Sequence, residues 1–146
     1  SVYRYFDNLD TLRLDTISRT RERYADLFIL PGIGQGDRHE RVTGLVRTRA
    51  RLYATIAPVA RLVRARSGEH RELADVLNVV RQEQVAQVQA HFAHELDGID
   101  RIDVDDVVTS IVVATSFEAW DLYVALGREP LQIRRAWTAA VDRLLG

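Results

Sequence analysis

Apolar residues recur at helical spacing along almost the whole chain, and glycine and proline cluster at only a few places. This pattern predicts an all-α domain. The predicted helices cover residues 9–29, 38–55, 58–65, 69–96, 104–126 and 131–145. Asp7 or Asn8 is expected to cap the first helix and Asp103 the fifth. Gly127 closes that fifth helix, and Pro130 opens the last one.

Three breaks in the helical pattern need an interpretation. Pro58 is expected to begin or kink a short helix that Ser67 and Gly68 end. Residues 31–36 are rich in glycine, but they lack the lysine and the hydroxyl residue of a P-loop and follow no predicted strand, so a connecting loop is expected. The acidic turn at 97–103 lacks the ligand spacing of an EF-hand, and helix capping is the interpretation.

The segment 107–126 is the most apolar part of the chain. Fourteen of its 20 residues are apolar, and they surround the helix axis, so this helix needs burial on two sides. Glu118 and Asp121 near its end count against a membrane span. In a monomer such a helix can be the central core element, whereas in a dimer one face packs on its own core and the other on a second copy. The apolar stripe of the last helix favours the homodimer, and no membrane association is expected.

Composition sets further bounds. A chain of 146 residues with 47% hydrophobic content can form one domain with a sizeable core. The net charge of −1 gives no global attraction to nucleic acid. The absence of cysteine excludes disulfides and thiol catalysis, and no signal segment is visible, so a cytoplasmic location is the default expectation. Because the chain has no methionine even at position 1, it is expected to be a fragment.

Both ends of the chain carry a pattern that points to a known family. Tyr3 and Phe6 precede a polar break at residues 7–8 and the predicted helix from Leu9. Residues 115–122 read Thr-Ser-Phe-Glu-Ala-Trp-Asp-Leu and precede Gly127 and the last helix. These segments resemble the recognition-helix junction and the last two helices of TetR-family (tetracycline-repressor-like) transcriptional regulators. Leu9 departs from the family pattern, which often has a lysine near a phosphate there.

The resemblance implies a helical bundle of the TetR C-terminal effector-binding and dimerisation type over residues 9–146. It also implies that residues 1–8 are the tail of a helix-turn-helix domain, most of which would precede Ser1. The residues expected to contact operator DNA are Ser1, Val2, Tyr3, Arg4 and Tyr5. In the family, the last two helices form a four-helix dimer interface. The residues assigned to that interface are Val112, Thr115, Ala119, Tyr123, Ile133, Trp137, Ala140, Val141 and Leu144.

Polar residues that interrupt apolar stripes mark a candidate effector pocket, because a buried polar group needs a partner. The predicted effector-binding residues are Phe28, Arg49, Leu52, Tyr53, Leu77, Gln84, Val88, His91, Phe117 and Asp121. Arg49 can meet a ligand carboxylate or form an ion pair with Glu118 or Asp121. His91 can share a metal ion with His94 or Glu95, but one helix does not complete a metal site. We therefore expect neither a metal ion nor a cofactor.

Enzymatic motifs are missing from the sequence. The chain contains no E-x-x-H, H-E-x-x-H or G-x-S-x-G sequence and no cysteine nucleophile, so a binding protein is the better hypothesis. The predicted function is a ligand-responsive DNA-binding transcriptional regulator, a repressor that a small apolar or aromatic effector releases from a palindromic operator by tilting the helix 9–29. The alternative is a helical small-molecule-binding or dimerisation module with no DNA role.

Overall fold

The computed structural model describes residues 14–146, and this part of the chain contains helices but no strand. The prediction of an all-α domain is therefore confirmed. Helix α1 covers residues 14–23 of the described chain, and a 3-10 helix follows at Ala25–Phe28. The remaining helices are α2 (Arg38–Arg66), α3 (Arg71–His91), α4 (Ala93–Leu96), α5 (Arg101–Ala114), α6 (Phe117–Ala125) and α7 (Pro130–Leu145).

The first predicted helix is wrong at its C-terminal end. It was expected to reach residue 29, but the α-helix ends at residue 23 and the chain tightens into the 3-10 helix. This tighter turn lets Leu27 and Phe28 pack against the core next to α2. The predicted start at Leu9 and the caps at residues 7–8 lie outside the described residues.

Helix α2 is one continuous helix, so the predicted break at Pro58 is wrong. The helix begins with a capping box, in which the Asp37 side chain accepts a hydrogen bond from the Glu40 N–H at 2.8 Å. Pro58 is exposed, and the residues that follow it on the inner face, Ala60 and Val63, are buried. Because packing on that face continues, tertiary contacts hold the helix together beyond the proline. It ends at Ser67, as the sequence predicts.

Two other predicted helices are each divided in the structure. The helix expected at 69–96 breaks at Phe92, which turns into the core and is fully buried. The helix expected at 104–126 starts earlier, with Asp100 rather than Asp103 at its N-cap, and breaks at Thr115 and Ser116 with a bend of 41°. The Ser116 hydroxyl accepts a hydrogen bond from the Ala119 N–H at 3.2 Å and so caps α6.

The turn between α6 and α7 confirms the prediction made from Gly127 and Pro130. Gly127 has a φ of +80°, the left-handed conformation that glycine adopts most readily. The Arg128 N–H donates to the Tyr123 carbonyl and the Gly127 N–H to the Val124 carbonyl, each at 3.0 Å, which is a Schellman motif. Pro130 is the first residue of α7.

Three clusters of buried side chains form the core, and α2 contributes to all of them. The first cluster packs α2 against α3, α5 and α7 around Leu45, Val88, Ile111 and Val141. The second packs α2 against α6 and α7 around Leu52, Tyr53, Phe117 and Trp137. The third packs α1 against α2 and α3 around Ile17, Val63 and Leu77. Helix α2 is therefore the central element of the described fold.

No single helix among the described residues has both the length and the apolar character needed to cross a membrane. Helices α5 and α6 reach that length and composition only when they are taken together, across their 41° bend.

Candidate functional site: an apolar cavity between two core clusters

A cavity of about 400 Å³ lies where the second and third core clusters meet. This volume falls in the range of about 300–1,000 Å³ that is typical of small-molecule sites. Helices α1, α2, α3, α5 and α6 all contribute to its wall. The lining residues are Ile17, Thr20, Arg21, Phe28, Leu52, Tyr53, Ile56, Val59, Ala60, Val63, Arg64, Val76, Leu77, Val80, Arg81, Gln84, Val85, Val112, Val113, Ser116, Phe117 and Glu118. Most of these side chains are apolar, so the space suits an apolar molecule.

Tyr53 supplies the main buried polar group of the cavity wall. Its hydroxyl donates to the Thr115 carbonyl and accepts from Gln84 Nε2, both at 3.1 Å. Burial raises the pKa of Tyr53 above its usual value, against the opposing charge of Arg49, so the phenol stays neutral near neutral pH. The carbonyl of Thr115 is available because the helix breaks there between α5 and α6. The bend therefore provides the acceptor that fixes Tyr53.

Three charged residues line the more exposed side of the cavity. The carboxylate of Glu118 accepts from Arg64 at 2.8 Å and from Arg81 at 3.1 Å. The Arg64 guanidinium also lies over the Phe117 ring, 4.3 Å from its centroid. Burial alone would raise the pKa of Glu118, but the hydrogen bonds and charges of the two arginines hold that pKa below its usual value. The Glu118 side chain therefore carries its charge at neutral pH.

Helix α1 forms one wall of the cavity through Ile17, Thr20 and Arg21. Arg21 also reaches Glu83 on α3, with 3.1 Å between its Nη2 and the carboxylate. Both side chains of this pair are substantially exposed, so the pair contributes little to stability. The position of α1 consequently depends on the contacts that its inner face makes around the cavity.

Six of the ten predicted effector-binding residues line this cavity: Phe28, Leu52, Tyr53, Leu77, Gln84 and Phe117. The apolar stripes interrupted by Arg49 and Gln84 located four of them, and Phe28 and Phe117 were chosen as aromatic residues able to line a cavity. Sequence reasoning missed Val59, Val76 and Val80, and also the two arginines around Glu118. Nothing in the sequence distinguishes these valines from other core positions, since their shared cavity exists only after the helices pack.

The structure places three of the other predicted effector residues elsewhere. Val88 is fully buried in the first core cluster. His91 is also buried, and its Nδ1 accepts from the Gly34 N–H at 3.0 Å while Nε2 lies 2.8 Å from the Arg41 carbonyl oxygen. Asp121 pairs with Arg61 at 2.8 Å, on the outer side of α6. Each of these side chains has a structural role that sequence spacing did not indicate.

Arg49 is the fourth of these predicted effector residues, and it forms neither of the two ion pairs that were expected from the sequence. Glu118 pairs with Arg64 and Arg81, and Asp121 pairs with Arg61, so the ion pair predicted for Arg49 is not formed. Only 2% of the residue is exposed, and neither terminal nitrogen has a hydrogen-bond partner within residues 14–146. Burial lowers the pKa of Arg49 from its usual value, which expresses the cost of holding an unpaired cation in the core.

The residues assigned to the dimer interface divide into two groups. Thr115, Ile133, Trp137 and Val141 are buried in the core of one chain, so the structure corrects their assignment to an interface. The reason is that the inner face of α7 packs on α2 and α5 of its own chain. The partly exposed members of the set are Val112, Ala119, Tyr123, Ala140 and Leu144, of which Val112 also lines the cavity. Exposed apolar residues lie beside them at Val113, Leu122, Leu126 and Leu131.

Two further predictions meet little or no structural information. The proposed DNA contacts at residues 1–5 lie outside the described residues. Over residues 14–146, no group of three or more histidine, aspartate or glutamate side chains is placed to hold a metal ion.

Comparison with known proteins gives no relative for this chain. No protein-family model matches it, and neither the curated proteins nor the solved structures contain a significant match.

Proposed function

We propose that the protein is a ligand-responsive DNA-binding transcriptional regulator of the TetR type, in which a small apolar or aromatic molecule occupies the cavity. One observation carries the proposal. The cavity wall includes α1, and the residues that precede α1 in the chain are those that resemble the end of a recognition helix. A molecule in the cavity would thus touch the helix that leads directly to the proposed DNA contacts.

The proposed switch works through the position of α1. A ligand that fits one tilt of α1 better than another shifts the protein toward that tilt, and the shift is limited by the difference between its two affinities. Typical coupling of about 1–3 kcal/mol changes operator affinity by about 5- to 150-fold. In a dimer, this tilt would change the separation of two recognition helices that lie in successive major grooves. The ligand then acts as an inducer, and the protein as a repressor.

The homodimer in this proposal uses the exposed apolar residues of α6 and its neighbours. Leu122 in α6 and Leu126, the C-cap residue of that helix, are four positions apart and are 59% and 70% exposed. The half-buried Ala119 and Tyr123 lie beside them. A second copy of the chain fits this face because the net charge of −1 gives little repulsion between copies.

A second candidate function is a helical small-molecule-binding module with no DNA role. The observation that favours it is that five helices within residues 14–146 line the cavity, so a ligand can bind there without DNA. Both candidates share the ligand site, and they differ in whether α1 transmits binding to DNA.

The test uses the full-length gene product and the promoter DNA upstream of its gene. Fluorescence anisotropy measures DNA affinity at several salt concentrations, with and without decanoic acid or 1-decanol, and random DNA is the control. Specific binding that weakens when the cavity is filled supports the regulator. Specific binding that stays unchanged although calorimetry shows the ligand bound contradicts the switch. Binding no tighter than to random DNA favours the module without a DNA role.

A further inference from the structure

The buried guanidinium of Arg49 forms no ion pair with a side chain of residues 14–146. Arginine keeps its charge in proteins, so burial leaves a cation in the core. Both terminal nitrogens are enclosed, and neither donates to an acceptor in the described part of the chain. An unpaired charge in such surroundings is strongly unfavourable relative to water. Arg49 therefore needs a hydrogen-bond acceptor for its terminal nitrogens.

The nearby carboxylates do not supply that acceptor. Glu118 is held by Arg64 and Arg81. Asp121 is bound by Arg61, and Glu95 is bound by the buried Arg41. A second copy of the chain cannot supply it either, because Arg49 is enclosed within one chain. A bound molecule that reaches Arg49 would supply the acceptor that residues 14–146 do not provide.

Trp137 provides a second, independent sign of a missing acceptor. Its indole Nε1 is buried and has no hydrogen-bond partner among residues 14–146. Its ring packs edge-on against Tyr53, with 6.1 Å between the ring centroids. Arg49 lies one helical turn before Tyr53 on the same face of α2. The two residues with unused donors are thus both neighbours of Tyr53.

Tyr53 lines the cavity and lies next to both donors, although Trp137 is not in the lining that the described residues form. Arg49 does not itself belong to the lining found among the described residues, but Leu52 and Tyr53 do, and they are its neighbours along α2. Unpartnered donors next to an apolar space favour a ligand with an acceptor at one end and an apolar body. A guanidinium binds a carboxylate through two parallel N–H bonds, which neutralises the charge and satisfies two donors at once.

We propose that the molecule in the cavity is an amphipathic carboxylic acid whose carboxylate binds Arg49, behind the cavity wall that Leu52 and Tyr53 form. The apolar tail lies between α1, α2 and α3. This inference rests on the part of the proposed function that places a ligand in the cavity, and it does not depend on DNA binding. It adds the chemical class of the ligand and the residue that recognises it.

Isothermal titration calorimetry with decanoic acid and 1-decanol tests the proposal, because the two probes share the tail and differ in charge. The variants are Arg49→Met, which keeps the length without the charge, and Arg49→Lys, which keeps a cation. Arg61→Met is the matched control, since Arg61 lies on the same helix outside the cavity lining that the described residues form. Urea unfolding of each variant checks the fold, and Arg49→Met is expected to be at least as stable as the original chain.

The expected result is that the original chain prefers decanoate to decanol and that Arg49→Met weakens decanoate binding by about tenfold or more. Decanol binding is expected to stay unchanged in that variant, Arg49→Lys to retain part of the preference, and Arg61→Met to behave like the original chain. Equal affinity for both probes, or an Arg49→Met variant that keeps the preference, overturns the carboxylate inference but leaves an apolar cavity site. If neither probe binds, the carboxylate inference and the cavity as a ligand site are both overturned. Decanoate binding through Arg49 without any change in operator affinity leaves the inference standing and rejects the regulator.

Discussion

The backbone N–H of Gly34 donates a hydrogen bond to Nδ1 of His91 at 3.0 Å, and this bond ties the glycine-rich loop to the end of α3. The other ring nitrogen, Nε2, lies 2.8 Å from the Arg41 carbonyl oxygen and therefore carries the proton. Only the neutral ring satisfies both contacts, since a protonated Nδ1 no longer accepts. Burial lowers the pKa of His91, and the charges of Arg41 and Arg49 lower this pKa further. The bond to the Arg41 carbonyl and the charge of Glu95 raise it, but they do not outweigh burial.

This arrangement predicts a loss of stability in mild acid. The unfolded chain takes up a proton at the ordinary histidine pKa of about 6.5, whereas the folded chain stays neutral to lower pH. The unfolded state thus binds more protons, and the free energy of unfolding falls as the pH drops from about 6.5 toward the folded pKa. Urea unfolding measured from neutral to mildly acidic pH checks this prediction.

The variant His91→Asn isolates the histidine contribution. It is expected to lower the free energy of unfolding by about 1–3 kcal/mol at neutral pH, because the Gly34 N–H and the buried Arg41 carbonyl lose a partner. It should also flatten the decline below about pH 6.5. His39→Asn is the control, because His39 is exposed in the first turn of α2. An unchanged acid decline in His91→Asn would show that other groups cause it.

The buried pair between Arg41 and Glu95 predicts a strong response to removal of one partner. Both side chains are less than a tenth exposed, and Arg41 also donates to the Gly36 carbonyl. Glu95→Gln is expected to cost about 3–5 kcal/mol, since it leaves Arg41 without a counter-charge. Asp15→Asn is the control, because the pair of Asp15 with Arg19 is largely exposed and is worth at most about 1 kcal/mol. Chemical denaturation measures the free energy of unfolding of both variants. Equal small losses in Glu95→Gln and Asp15→Asn would contradict a buried pair.

Filling the cavity is expected to abolish ligand binding without unfolding the protein. Ala60 lines the cavity on α2, so Ala60→Leu places a branched side chain in space that a ligand would occupy. Because that space is empty of protein atoms, the cost in stability should stay below the roughly 1–3 kcal/mol typical of overpacking. Ala65→Leu on an exposed position of α2 is the control. Calorimetry with 1-decanol measures ligand binding by both variants. Retained binding by Ala60→Leu would place the ligand elsewhere.

The proposed homodimer predicts that charge on the exposed face of α6 produces monomers. The double variant Leu122→Glu and Leu126→Glu brings four like charges together in a two-fold interface, and sedimentation measures the change in mass. Ile102→Glu is the control, because this residue is 82% exposed near the start of α5. The control is expected to remain dimeric. An original chain that sediments as a monomer at micromolar concentration would contradict the dimer itself.

Local chemistry explains which parts of the fold were predictable. Gly127 and Pro130 set the α6–α7 turn through backbone geometry that only a few neighbouring residues determine. Ser67 ended α2 for a similar reason. Pro58 misled the prediction because its local effect is outweighed by the buried residues that follow it. The breaks at Phe92 and Thr115 were missed because they serve packing between helices that are distant in sequence.

The candidate site shows the same division. Tyr53 and Gln84 were predicted together because both interrupt or border apolar stripes, and a hydrogen bond joins them. The pairing of Arg49 was predicted wrongly, because helical spacing does not show that Glu118 and Asp121 face arginines on the outer side of α2. Whether side chains on two helices meet depends on how the helices pack, and the sequence pattern does not show that packing.

Helix α1 is held much less firmly than the helix that it packs against. Among residues 14–23, Ile17 is the one buried side chain, whereas α2 buries eleven. The backbone amides of α1 should therefore exchange with deuterated solvent through frequent local opening, while those in the middle of α2 should wait for unfolding of the whole domain. An occupied cavity would lengthen the closed lifetime of α1 alone. A ligand would then control how long α1 stays folded as well as how it is tilted.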